Sequence, residues 1–184
     1  MQKYRLPILS AFGTSAVRLL RENRKEVKMA NNRFTEISQI GIVARDKERV
    51  IANMRDVFGV EPDQCTVCSV TSEKQNGNYY GEPGDFEADL LFYRFANVEL
   101  EFMVPRHGKN IWSDWLEEHG EGLHHMLFNV DSFDGAVADM KEKGIPLIQD
   151  GPSTLQAGLR WGYFDGYEKL GFILEVKNTK EKFD

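Results

Sequence analysis

Cysteine is scarce: Cys65 and Cys68 are the only two in 184 residues. Two thiols cannot staple a small secreted domain, so the fold must rest on its own core and suits a reducing compartment. Long apolar runs are missing too, which excludes a membrane-spanning helix. Positive charge is in deficit: 23 Lys and Arg stand against 29 Asp and Glu, a net charge of −6. A nucleic-acid partner needs a positive surface and is not expected. Also absent are a glycine-rich phosphate loop, a Ser-His-Asp arrangement and a basic patch interleaved with aromatics. What is present is a composition 41% hydrophobic and 28% charged. That suffices for a real core, in one domain or two small repeated modules.

The charge is unevenly spread. Residues 1–28 hold seven Lys or Arg against Glu22 and Glu26, giving +5 and leaving −11 for the remainder. Such a shift marks a boundary, and residues 1–33 are expected to be a basic extension ahead of a domain over 34–184. Its acid-poor start suits an organellar transit peptide. A helix packing on the domain or a partner, or a true start at Met29, are the other readings. The expected location is cytoplasmic, or organellar if residues 1–28 are a targeting segment.

The body reads as alternating short elements. Gln39–Val43 is strand-like; Asp46 caps a helix with Val50, Ile51, Met54, Val57 and Phe58 on its apolar side, and Gly59 stops it. Thr66–Thr71, Ala88–Phe95 and Asn97–Met103 are further strands, with a loop over Gln75–Gly84 and a linker over Pro105–Asn110. After a helix over 111–119 the pattern restarts. Gly122–Val130 is a strand, Asp131 or Ser132 caps a helix, and Pro146–Gln149, Gly158–Phe164 and Phe172–Lys177 are three more strands. The order β-α-β-β-β occurs twice, in modules over about 36–105 and 122–178. The expected class is α+β, with two tandem βαβββ modules forming a cleft between curved mixed sheets.

Four polar residues occupy matching places in the two modules. Gln39 and His125 lie near the start of each first strand, and Glu101 and Glu175 lie within each last strand. If the sheets face each other, all four point into one cleft. An amide, an imidazole and two carboxylates suit Zn, Mn, Co, Ni or Mg, with positions left for substrate oxygens. On spacing alone a second reading stays open, in which the glutamates face solvent and His125 is a hydrogen-bonded core histidine.

Particular segments carry a resemblance. Asp114–Met126, with Gly122-Leu123-His124-His125 as its most specific piece, is similar to the methylmalonyl-CoA epimerases. Ile40–Asp46 and Gly171–Glu175 are similar to them as well. The wider group is the vicinal oxygen chelate superfamily, with its glyoxalase-like fold of paired βαβββ modules, and the resemblance spans about residues 36–178. It implies a divalent metal held by Gln39, Glu101, His125 and Glu175. It further implies an enzyme that moves a proton alpha to a carbonyl on a small molecule, possibly a CoA thioester, and a homodimer. Glu175 is the expected base, and Glu101 the acid on the other face, with Asp89 or Glu87 as weaker candidates. Gln39 stands where the epimerases have histidine, as in some glyoxalase I enzymes. A lactoylglutathione lyase and a metal-free binding protein on the same scaffold are therefore the alternatives.

Other features carry bland expectations. His124 points away from His125. Cys65 and Cys68 fall on opposite sides of a strand. Trp112, Trp115 and Trp161 are core or interface residues. Arg106, Lys109, Arg160 and Lys169 are ordinary surface charges unless they meet phosphates.

Overall fold

The computed structural model describes residues 33–153 and 157–179. The expected targeting or packing roles of residues 1–28 lie outside them. Strand β1 (Phe34–Val43) leads to helix α1 (Lys47–Phe58), β2 (Thr66–Thr71), the short α2 (Ser72–Gln75), β3 (Asn78–Tyr79), β4 (Glu82–Pro83), β5 (Asp85–Arg94) and β6 (Glu99–Lys109). Helix α3 (Ile111–Glu118) connects to β7 (Gly122–Val130), α4 (Phe133–Glu142), β8 (Leu147–Pro152), β9 (Arg160–Phe164), the short α5 (Tyr167–Leu170) and β10 (Ile173–Asn178). None of the described helices is long and apolar enough to cross a membrane.

Local chemistry accounts for the helices. The Asp46 side chain accepts from the Arg49 backbone N–H, and Gly59 closes α1 in the left-handed conformation. Asn110 accepts from the Trp112 and Ser113 backbone N–H groups at the start of α3. Ser132, rather than Asp131, caps α4.

All ten strands form one mixed sheet in the order β2-β5-β6-β1-β7-β10-β9-β8-β3-β4. The two halves mirror each other: β1 runs parallel to β6, β7 runs parallel to β10, and β1 and β7 join the halves antiparallel. Only a few residues link β2, at one edge, to β3 near the other. A short connection cannot reach between the edges of a flat ten-stranded sheet, so the sheet curls back on itself.

Three apolar clusters follow. Helix α1 packs Val50 and Met54 on the outer face of the first half with Leu91, Tyr93 and Val104. Helix α4 packs Phe133, Ala136 and Met140 on the outer face of the second half with Leu174 and Val176. Inside the curl, α3 contributes Ile111, Trp112 and Leu116 to a cluster with Val43, Met103 and Tyr163.

The structure departs from the sequence expectations in three places. The segment 75–84 is not all loop but a small hairpin, β3–β4, whose β3 pairs with β8 of the other half. Its turn residues Tyr80 and Gly81 have φ of 50° and 83°. A two-residue turn of this kind usually announces itself with Asn-Gly, and Tyr hides the signal. Strand β6 continues through the expected linker to Lys109, and a register shift between Glu87 and Ala88 accommodates Pro105, which lacks an N–H. Helix α5 occupies residues between two expected strands, where the sequence reading assigned no element.

Candidate metal centre

The central strands β6, β1, β7 and β10 carry the site. Glu101 pairs with Gly41, and Gly41 pairs with His125, so these three form one row across the sheet. His125 pairs in turn with Ile173 on β10. The next row is Glu99, Gln39, Leu127, Glu175 and Tyr163. Paired residues share a face, so Glu101, His125, Glu175, Gln39 and Tyr163 all point to the inside of the curl.

Gly41 is what lets the first row meet. A Cβ there would lie 1.9 Å from His125 Cε1. The imidazole lies directly over the bare glycine backbone, reaching across β1 toward Glu101. Any side chain at position 41 displaces it.

The resulting geometry is tight. His125 Nε2 lies 3.4 Å from Glu101 Oε2 and 2.9 Å from Glu175 Oε2. The three side chains are buried, and their donor atoms lie within 4.8 Å of one another. Despite the short approach, His125 Nε2 and Glu175 Oε2 both lack a hydrogen bond of acceptable geometry. Two carboxylates aimed at one nitrogen, with orphaned buried atoms, form a donor set that fits a divalent cation. When no cation is bound, a proton serves in its place. Burial lowers the His125 pKa, but the charges of Glu175 and Glu101 outweigh it and raise the imidazole to about 9. Burial raises the Glu101 pKa, with His125 opposing.

His124 is not on the opposite face in the simple sense expected. A register shift beside Gly41 turns it into the interior, where it is buried against Trp115 and Tyr163. Its Nδ1 lies 3.0 Å from His125 Nδ1. Burial, then the neighbouring His125, keeps its pKa well below the usual histidine value, so it is neutral. A backbone hydrogen bond with Ile111 favours a proton on its other ring nitrogen. The His124 Nδ1 thus accepts from the His125 Nδ1–H, which turns the His125 Nε2 toward the carboxylates, protonated when no cation is bound and free to ligate when one is.

Gln39 is buried and lines the same cavity as Glu101 and Glu175. Its Nε2 donates to Glu99 Oε1 at 3.0 Å, which leaves its carbonyl oxygen as the atom available for ligation. Asp89 and Glu87 do not join the site. Asp89 is tied to Lys47, Arg106 and Ser69, and Glu87 to Arg106. Asp89 shares the face of β5 that packs under α1, so neither acid reaches the cavity.

Two residues were not anticipated. Gly41 carries the signal of a glycine inside an apolar strand. Tyr163 carries none, since an aromatic at a strand position reads as core. Burial, and then the charges of Glu175 and Glu101, hold its phenol well above the ordinary tyrosine pKa. It remains a neutral O–H beside the carboxylates. The cavity over the cluster measures about 80 Å³, with Phe92, Trp112 and Trp161 among its walls.

Similarity to known proteins agrees with this architecture. The chain is 23% identical over 115 residues to the mitochondrial methylmalonyl-CoA epimerase of Mus musculus, covering 62% of this chain and 56% of that protein. It thus spans little more than half the length of that relative. A Streptomyces coelicolor methylmalonyl-CoA epimerase in complex with 2-nitronate-propionyl-CoA superposes with TM-score 0.56 at 22% identity, over 79% of this chain and 98% of that one. Methylmalonyl-CoA epimerase from Mycobacterium tuberculosis gives 0.57 at 16% identity, over 82% and 91%. These likenesses show the fold. The model of the glyoxalase/bleomycin resistance protein/dioxygenase superfamily matches residues 38–163, and the chain belongs to that superfamily.

Proposed function

We propose that the chain is a divalent-metal-dependent epimerase or isomerase that moves a proton alpha to a carbonyl, on a small acyl thioester such as methylmalonyl-CoA. The observation that carries this reading is the buried triad of Glu101, His125 and Glu175, with its orphaned atoms beneath a small cavity. Glu101, His125 and Glu175 would hold the ion, with the Gln39 carbonyl as the fourth donor. When bound, the ion supplies Lewis-acid stabilisation of charge developing on a carbonyl oxygen.

The chain's own groups do the rest. Glu175 takes the alpha proton, and Glu101, from the other half of the sheet, would return one from the opposite side when it is released from the ion and protonated. A positioned carboxylate is worth about 10²–10⁴-fold in such transfers. Tyr163, kept neutral, donates its O–H toward the Glu175 side and keeps that carboxylate oriented. The apolar and aromatic walls exclude water, which strengthens each of these interactions. Homodimeric association belongs to the same reading, and light scattering in solution tests it.

Gln39 at the cavity, with its Nε2 engaged by Glu99, also favours a second reading, a lactoylglutathione lyase acting on a hemithioacetal with the same proton movement. The deciding experiment is hydrogen–deuterium exchange at the alpha carbon of methylmalonyl-CoA, followed by NMR. The protein is stripped of metal and reloaded with Co, Mn, Zn or Ni. Metal-dependent exchange supports the epimerase reading. Absence of exchange with every metal overturns it, and turnover of a hemithioacetal then supports the lyase.

A further inference from the structure

Building on the proton-transfer reading, we infer that Lys177 is a specificity residue that selects an oxyanion on the reacting end of the substrate. Among the described residues it is the one cation lining the cavity over Glu101 and Glu175. It lies on the same face of β10 as Glu175, two residues further along, which places the two backbone positions about 6.6 Å apart. Trp161 pairs with it on β9 and Asn129 on β7.

Burial without a partner sets it apart. Among the described residues the other half-buried cations, Arg33, Lys47 and Arg160, each have a carboxylate within ion-pair distance, and the cations that have none, such as Arg55, Arg94 and Lys141, are exposed. Lys177 is half-buried and has no such partner among the described residues. A half-buried ammonium without a counter-charge is a cost to the fold. An anion delivered by a ligand offsets that cost.

Two buried glutamates sit at the floor of the cavity, and an ion held by them with His125 would offset their charge, so the floor alone gives a second anionic group no fixed place. A cation at the wall supplies one and gives the anionic group a fixed side on which to lie. That fixes which face of the alpha carbon meets Glu175. The small volume, about 80 Å³, admits a short acyl group with a carboxylate and leaves a bulky carrier outside. The oxyanion is therefore assigned to the acyl group, and a carrier phosphate is the other source of the same chemistry.

Binding measurements separate these sources without needing turnover. Trp161 and Trp112 line the cavity, so their fluorescence reports occupancy. The probes are malonate, inorganic phosphate, methylmalonyl-CoA and isobutyryl-CoA, whose acyl group lacks the carboxylate. Lys177→Met is expected to weaken malonate and methylmalonyl-CoA about tenfold or more, the loss of one charge-assisted hydrogen bond. Isobutyryl-CoA and phosphate should be unchanged, and Lys177→Arg should restore binding to within a few-fold. A parallel loss for isobutyryl-CoA and phosphate would overturn the acyl assignment in favour of a carrier phosphate. Equal affinity of Lys177→Met and the unaltered protein for all four probes, or no binding of any probe by the unaltered protein, overturns the proposal. A Lys177-dependent malonate site in a protein that catalyses no alpha-proton exchange would sink the reading of function and leave this assignment standing.

Discussion

At the scale of single residues, the site depends on an atom that is absent. Gly41 has no Cβ, and His125 occupies the space that one would fill. Gly41→Ala therefore forces the imidazole away from Glu101 and Glu175. The expected cost is about 1–3 kcal/mol in chemical denaturation, the range for overpacking a tight interior. Divalent-ion affinity measured by calorimetry should fall about 10–100-fold, as when a ligand's orientation is lost. Unchanged affinity would mean that His125 is not held over Gly41. Tyr163→Phe is the complementary test, because it keeps the ring and removes only the hydroxyl beside Glu175. Metal binding should persist while alpha-proton exchange drops roughly tenfold or more, the scale for a well-placed donor. Glu101, His125 and Glu175 stood out in the sequence as polar residues at matching places in two repeats, but spacing left a structural reading open, and the family resemblance singled them out as ligands. Gly41 and Tyr163 were less so, since their roles depend on what lies across the sheet and not on their own chemistry.

At the scale of elements, α1 is tied to the sheet by charge as well as by Val50 and Met54. Lys47 at its first turn reaches Asp89 on β5 at 3.1 Å, and Arg106 and Ser69 reach the same carboxylate. Burial alone would raise the Asp89 pKa, but Ser69, Lys47 and Arg106 together bring it below the usual carboxylate value. A group whose folded pKa is depressed stabilises the fold above its unfolded pKa, near about 4. It loses that contribution as pH falls through the folded value. Asp89→Asn should thus cost about 1–2 kcal/mol in urea denaturation at pH 7, the scale for a charged hydrogen-bonded group. The difference from the unaltered protein should shrink as the pH is lowered below the ordinary aspartate value. A cost independent of pH would mean packing, not charge, holds that corner. Elements of this length, with caps such as Asp46 and apolar stripes, were readable in advance. The β3–β4 hairpin and the extension of β6 through Pro105 were not, because both exist by pairing with strands distant in sequence.

At the scale of the whole described domain, the two halves meet along β1 and β7, and the site straddles that seam. Gln39 and Glu101 come from one half, and His125 and Glu175 from the other. A cation held by all of them is a cross-link between halves, so it should stabilise the folded domain and not merely serve chemistry. Ligand linkage sets the size: an ion at a hundred times its dissociation constant adds about 2.7 kcal/mol. For a domain of this length that amounts to a rise of roughly 5–11 °C in Tm. Chelator-stripped protein should melt lower by that amount and recover on adding Zn or Co. Glu101→Gln and Glu175→Gln are close to isosteric, so each should fold yet lose most of the metal-dependent rise. The two variants remove donors from opposite halves, and equal losses in both are expected if the ion spans the seam. A rise undiminished in Glu101→Gln would locate the ion within the second half alone. The repeated β-α-β-β-β order made two halves and one shared cleft legible from sequence. Which atoms converge there was not, because convergence depends on the β1–β7 register, and a one-residue slip would turn Gln39 and His125 to the outer face.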